Sequence, residues 1–317
     1  MKVKLLGVTA LLFIVSCEII LRKGWGFCDT VLMQESKKYE YIAQPNQDRM
    51  RFRHHVIYNS LSMRSPEVEK NSIKILGLGD SVINGGVLTD QDSLATTLLS
   101  VALSDALQQE IQVLNISAGS WGPDNCNAYL DEKGCFDAKV MLLVVSSHDA
   151  YDNMDFKPTV DVHVSFPSKQ YMSAIVELFD RYLMPKVKDL FREKTLNQQF
   201  VNLEEHGIKE VEKCFNSGFA ALKQKADSLR IPMIIYLHAE QSEWKDKKYN
   251  SQGQEIIKFA QQEDIPIIKD LEANINENWY RENDNIHLSQ YGQHRMAELI
   301  YPYLLDILKS VCNGLKK

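Results

Sequence analysis

Six consecutive apolar residues, Val140-Met141-Leu142-Leu143-Val144-Val145, place the strongest constraint on what this chain can fold into. A strand with one wet face alternates apolar and polar residues, so a run without alternation has both faces covered, as in a parallel sheet lying between two helical layers. Four further short runs, Ile73–Leu78, Ile111–Ile116, Pro232–Leu237 and Pro266–Ile268, bring the predicted strands to five. Between the first two, Asp92 or Ser93 is placed to cap a helix in which Leu94, Leu98, Val101, Leu103, Ala106 and Leu107 recur at helical spacing. Strand and helix therefore alternate as in βαβ units, and the predicted architecture is α/β, a three-layer α/β/α sandwich.

The rhythm breaks once. About 85 residues separate the third predicted strand from the fourth, more than one crossover helix requires. Two helices are predicted there, from Ser168 to about Phe191, opened by Phe166-Pro167-Ser168, and from His206 to about Leu229, closed before Ile231-Pro232. The second reads as the regular crossover and the region 150–205 as a helical insertion able to cap the site. Residues 23–70 are polar and irregular, with Tyr39, Tyr41, Phe52 and Tyr58 scattered among charges, and read as a membrane-proximal stalk packed partly on the domain at 71–312.

At the N-terminus, Lys2 and Lys4 precede an uncharged run from Leu5 to Cys17; Glu18 interrupts it, and Ile19-Ile20-Leu21 resume before Arg22 and Lys23. Residues 1–22 are read as an export signal or membrane anchor, an uncleaved anchor first, with Ile14-Val15-Ser16-Cys17 as a bacterial lipobox and a lipoprotein attached through Cys17 second. The rest of the chain is then expected outside the cytoplasm, anchored to the inner membrane of a bacterial envelope and facing the periplasm. A formal net charge of −6 without a basic block argues against a nucleic-acid partner. Six cysteines without a C-x-x-C pair argue against a structural zinc site, and no metal or cofactor is expected. Cys126 and Cys135 are close enough in sequence to pair after export, which would leave Cys214 and Cys312 paired or free. His54, His55 and His294 read as surface residues.

In an open parallel sheet, reactive groups collect at the carboxyl ends of the strands. The first predicted strand ends in Gly77-Leu78-Gly79-Asp80-Ser81, which puts a hydroxyl on a tight strand-to-helix turn, so Ser81 is the candidate nucleophile. After the second strand, Gly119 in Ser117-Ala118-Gly119-Ser120 is a candidate backbone N–H donor. The third ends in Ser146-Ser147-His148-Asp149, polar groups that need partners or substrate. Near the C-terminus, Asp284 stands three residues ahead of His287 and can orient its ring, the base half of a catalytic triad. Asp80, Asp149, Tyr151 and His238 are candidate substrate contacts, with Asp152 and Asn153 extending the third loop and Glu240 and Trp244 beside His238.

Taken together and in order, these segments resemble the SGNH (GDSL-like) hydrolase family over roughly Ile73 to Leu308. Gly79-Asp80-Ser81 matches the first block, Gly119 the second and Asp284-Asn285-Ile286-His287 the terminal Asp-x-x-His block. The third block departs: the family's Gly-x-Asn-Asp stands here as Ser146-Ser147-His148-Asp149, with His148 in place of the oxyanion-donating Asn. The resemblance implies a five-stranded, mostly parallel, flavodoxin-like sheet. It also implies a serine esterase in which Ser81 attacks, Asp284 orients His287, and Ser81, Gly119 and His148 form the oxyanion hole. The expected substrate is an acylated carbohydrate or other small ester, most simply O-acetyl groups on an envelope or capsular polysaccharide. An O-acyltransferase using the same triad and a catalytically silent carbohydrate-binding or assembly protein are the alternatives.

Overall fold

The computed structural model describes residues 2–187 and 214–314. After a helix at Lys2–Trp25 come two antiparallel hairpins, β1 (Met33–Ser36) with β2 (Glu40–Ala43) and β3 (Gln47–Arg51) with β4 (His54–Tyr58). The main sheet follows: β5 (Ile73–Gly79), β6 (Ile111–Ser117), β7 (Val140–Ser146), β8 (Met233–His238) and β9 (Ile267–Lys269). Its order is β6-β5-β7-β8-β9 and every pairing is parallel. All five predicted strands are present, in the flavodoxin-like order.

Side chains alternate across this sheet and build two cores. Leu76, Leu114, Leu143 and Ile235 face one way, against Tyr129, Phe219, Leu222 and Ile256 from the helices Pro123–Lys133, Gly218–Leu229 and Ser251–Gln262. Ile75, Val113, Leu142 and Ile234 face the other way, against Leu99 and Leu103 of Ala95–Leu107 and Ile300 and Leu304 of Gln290–Gly314. This is the three-layer sandwich that the unalternating run at 140–145 requires.

Four expectations are corrected. The segment read as an irregular stalk holds both hairpins, and its Tyr39, Tyr41 and Met63 join the same core as the sheet. The β3–β4 turn places Phe52 and Arg53 at φ 50° and 68°, so it lacks the Gly or Asn that announces such a turn in a sequence. The first helix runs unbroken through Glu18 to Trp25 rather than stopping near Leu21. In the insertion, the helix opens at Ala174 rather than Ser168, and the crossover helix occupies Gly218–Leu229. Residues 188–191 and 206–213 of those two predicted helices lie outside the described residues, and 214–217 are not helical. Finally, Cys126 and Cys135 are both free thiols, Cys126 being buried with its sulfur 3.9 Å from the Gly79 carbonyl oxygen.

A buried ion pair ties the hairpins to the insertion. Arg51 donates to Glu177 at 2.6 Å and to the Tyr182 hydroxyl at 2.8 Å, and its guanidinium lies over the rings of Phe27 and Phe52. Neither charged side chain reaches solvent. Removing one partner leaves an uncompensated buried charge, so Glu177→Ala should cost about 3–5 kcal/mol. A denaturant-melting series should show the double variant Arg51→Met/Glu177→Leu losing clearly less than Glu177→Ala alone.

Candidate active site

The carboxyl ends of β5, β6, β7 and β8 converge because the strands are parallel and in register, with Gly79 opposite both Ser117 and Val144, and Ser146 opposite His238. At Gly79 the backbones of β5 and β7 meet so closely that a Cβ would lie 2.3 Å from the Val144 oxygen, which is why a glycine stands there. The next residue, Asp80, is buried and accepts the Val82 N–H at 2.8 Å, capping a single helical turn, Ser81–Asn84. Ser81 opens that turn and is half-buried. Asn84 anchors the turn to β6 by donating to the Ser117 carbonyl at 3.1 Å.

Gly119 follows β6, and its carbonyl accepts the Tyr41 hydroxyl at 2.8 Å. Trp121 Nε1 in turn donates to the Tyr41 carbonyl at 2.9 Å. The glycine loop is thus braced by a hairpin residue. Sequence reasoning had no means of assigning Tyr41 this place, because nothing local marks a contact across so much chain.

Asp284 and His287 meet in the C-terminal loop. His287 Nδ1 lies 2.8 Å from Asp284 Oδ2, and Asp284 Oδ1 accepts the backbone N–H groups of Ile286 and His287 at 3.0 and 2.9 Å. Burial alone would raise the Asp284 carboxyl, but the ring and the two amides hold it well below the usual carboxylate range. Two links bring this loop to the Ser81 turn. Arg281, whose N–H donates to the His287 carbonyl, reaches across to donate to Gly85 O at 2.5 Å, and Gln293 donates to Val82 O at 2.7 Å. Among the described residues, neither the Ser81 hydroxyl nor His287 Nε2 makes a hydrogen bond, so the serine–histidine bond is not closed. Such bonds are often long before substrate arrives.

Behind this loop stands a pair that the sequence reading did not find. His238 is fully buried, with Nδ1 2.5 Å from Asp270 Oδ2 and Nε2 2.8 Å from the Ile286 carbonyl. Both neighbours are acceptors, so both ring nitrogens carry protons. Burial works against that charge, yet Asp270 raises the imidazole above its ordinary value. The expected substrate contact at His238 is therefore corrected: it positions the loop that carries His287. Asp270, at the end of the short β9, gave no motif to find.

His148 is buried among carboxylates. Its Nδ1 lies 3.3 Å from Glu240 Oε1, and its Nε2 stands 3.7 Å from both Asp80 Oδ2 and Asp149 Oδ1. Burial opposes the charge, but Asp149, Glu240 and Asp80 outweigh it and raise the imidazole to about 10. Asp149 accepts the Ser146 N–H at 2.6 Å and caps the turn Ser147–Ala150. Tyr151 donates its hydroxyl to Glu255 at 2.6 Å. These contacts give Asp80, Asp149 and Tyr151 structural partners beside the substrate contacts expected of them. Ligand atoms of Asp80, His148 and Asp149 lie within 4.8 Å of one another, a spacing compatible with a metal ion. A metal there would have to displace a proton from the imidazole, which the surrounding carboxylates favour in its charged form.

No protein-family model matches the chain, and no curated protein is similar to it. Solved structures that it resembles include a lipase/acylhydrolase from Enterococcus faecalis, at 15% identity and TM-score 0.42, covering 74% of this chain and 96% of that one. A family 3 carbohydrate esterase from Clostridium thermocellum aligns at 16% identity and TM-score 0.42, over 76% of this chain and 98% of the other. An acetyl xylan esterase from Geobacillus stearothermophilus aligns at 13% identity and TM-score 0.41, over 75% and 97%. Likenesses this distant leave function to the geometry of the site.

The His238 pair carries a signed pH dependence. A histidine whose folded pKa is raised contributes stability that is complete below its unfolded value, about 6.5, and is lost as pH rises through the folded value. The stability difference between the parent and His238→Gln should therefore be largest near pH 6 and shrink on the alkaline side in thermal melts.

Proposed function

We propose that this chain is a serine esterase of the SGNH type, held at a bacterial envelope membrane by its first helix. The observation that carries the reading is the Asp284–His287 pair at 2.8 Å, tied through Arg281 and Gln293 to the turn that presents Ser81. In this reading His287 Nε2 takes the Ser81 proton as the serine oxygen attacks an ester carbonyl. Asp284 holds the proton on Nδ1 and stabilises the imidazolium. His287 then protonates the leaving alcohol, and water, activated by the same ring, releases the acid.

The oxyanion is assigned to the N–H groups of Ser81 and Gly119 and to His148. A protonated His148 offers a charged donor where an asparagine would offer a neutral one, and charge-assisted hydrogen bonds are roughly twice as strong. The acyl group is proposed to be acetyl on an extracytoplasmic carbohydrate, as the resemblance of the sequence blocks implies for an exported chain. The helix Lys4–Trp25 is long and apolar enough to cross a bilayer, with Leu12, Phe13 and Ile20 exposed. This supports a membrane span at the first helix, and the proposal takes it as an uncleaved anchor with the domain on the periplasmic side.

One observation favours a second reading. Both nitrogens of His148 face carboxylates and Ser81 lacks a bond to His287, as expected of a carbohydrate-binding relative without turnover.

Aryl-acetate hydrolysis and fluorophosphonate labelling separate the two. Ser81→Ala and His287→Ala should each lower kcat by about 10⁴–10⁶ with the label lost from Ser81→Ala. His148→Ala should lower kcat by about 10²–10³ with little change in KM. Absence of both turnover and label in the parent at neutral pH would favour the binding protein.

A further inference from the structure

The first helix does not end in a loose tether. Glu18 accepts the N–H groups of Ala174 and Ile175 at 2.8 and 3.1 Å and the Ser173 hydroxyl at 3.0 Å. Arg22, paired with Glu18 at 2.7 Å, also donates to the Met172 carbonyl. Beyond the helix, Cys28 N–H donates to Glu177 at 2.5 Å. The glutamate that interrupts the apolar run thus has its partners on the domain, and it fixes residues 172–177 level with the last two turns of the first helix.

From Ala174 the chain is helical to the end of the described segment at Val187, with a π turn at Phe179–Leu183. Its inner side carries Ala174, Glu177 and Arg181 against the hairpins. Its outer side is apolar: Val176 (55% exposed), Phe179 (54%), Leu183 and Val187 form one stripe, and Met172 just before it is 95% exposed. Beside the stripe, Val162, Val164, Pro167, Met172 and Pro185 line an open groove of about 610 Å³. The charges near the stripe include Lys186 and Lys169, and Asp161 and Asp180, which accept the Ser168 and Tyr171 hydroxyls.

We propose that this apolar face of residues 172–187 lies in the headgroup and upper acyl region of the bilayer, so that the domain is seated on the membrane rather than suspended from it. The proposal rests on the reading of the first helix as a membrane span. The level of the contact is what identifies the occupant. The run from Leu5 to Leu21 covers about 25 Å at about 1.5 Å per residue, short of a hydrocarbon core of about 30 Å. A short span is accommodated by local thinning of the bilayer and snorkelling of its flanks. Either brings the interface to Glu18, which with its bonded partners at 173–175 stands within one turn of the span's outer end. Val176 and Phe179 follow at that level, facing outward. An amphipathic segment with an apolar face and lysines beside it has the character of an in-plane interfacial helix.

The seating also reaches the candidate site. Phe166, in the loop that carries Val162 and Val164, packs beside Gly119 and against Tyr41, with ring centroids 4.9 Å apart in the latter contact. A loop at the membrane surface then borders the glycine proposed to donate to the oxyanion.

The full-length chain in vesicles of phosphatidylethanolamine and phosphatidylglycerol tests this. Phe179→Trp and, as a second position, Val176→Trp report through their fluorescence above the parent, with Phe13→Trp in the anchor and Leu229→Trp on the crossover helix as references. Brominated acyl chains should quench the added fluorescence of Phe179→Trp and Val176→Trp several-fold more than that of Leu229→Trp, while aqueous iodide quenches Leu229→Trp several-fold more than either. If iodide reaches the indoles of Phe179→Trp and Val176→Trp freely, or if they escape both quenchers as a protein contact would make them do, the seating is overturned even though Phe13→Trp is quenched by lipid. If Phe13→Trp also escapes the lipid quencher, the anchor reading fails together with it.

Discussion

The close approach of β5 and β7 is the constraint on which the remaining structure depends. With Gly79 pressed against the Val144 carbonyl, β5 sits inside a parallel sheet and its carboxyl end opens between those of β6 and β7. The chain must then turn sharply into the Ser81 helix, and Gly119 and His148 are delivered on either side. Contacts from far along the chain then complete the site: Tyr41 braces the Gly119 loop, Asp270 holds His238, and Arg281 and Gln293 tie in the Asp284–His287 loop.

Electrostatics at this edge rest on contacts between histidines and carboxylates. In the C-terminal loop, three donors hold the Asp284 carboxylate, one of them the His287 ring. Elsewhere at this edge, neighbouring carboxylates raise the imidazoles of His238 and His148, although burial opposes the charge in both cases. A buried pair of this kind contributes more to fixing geometry than to net stability. His238 directs its second proton to the Ile286 carbonyl, inside the loop that shapes the Asp284–His287 pair, so this contact helps fix where that pair stands.

How much of this was legible in the sequence follows from the range of each interaction. The five strands could be read because two-sided burial writes itself into consecutive residues, as at Val140–Val145. The tight turn at Ser81 and the Asp284–His287 contact could be read because turn chemistry and the Asp-to-His spacing are local. The hairpins escaped because Phe52 and Arg53 occupy left-handed conformations that their identities do not advertise. Tyr41 and Asp270 escaped because their partners, the Gly119 carbonyl and the His238 ring, lie far along the chain. Glu18 looked like a break in the apolar run, since a sequence does not reveal that a carboxylate has a helix start to cap. Cys126 and Cys135 looked like a pair, but one thiol faces the sheet core while the other is only half-buried beyond the helix end.

The Gln293 bond to Val82 has a consequence for biogenesis. A chain emerging from the ribosome completes its early units first, so the turn bearing the hydroxyl is translated long before the imidazole that would activate it. Gln293 lies on the final helix, and its side chain docks against the backbone right beside that hydroxyl. In the proposed reading, a chain that has not yet reached Gln293 therefore carries Ser81 without the imidazole or the latch that would serve it.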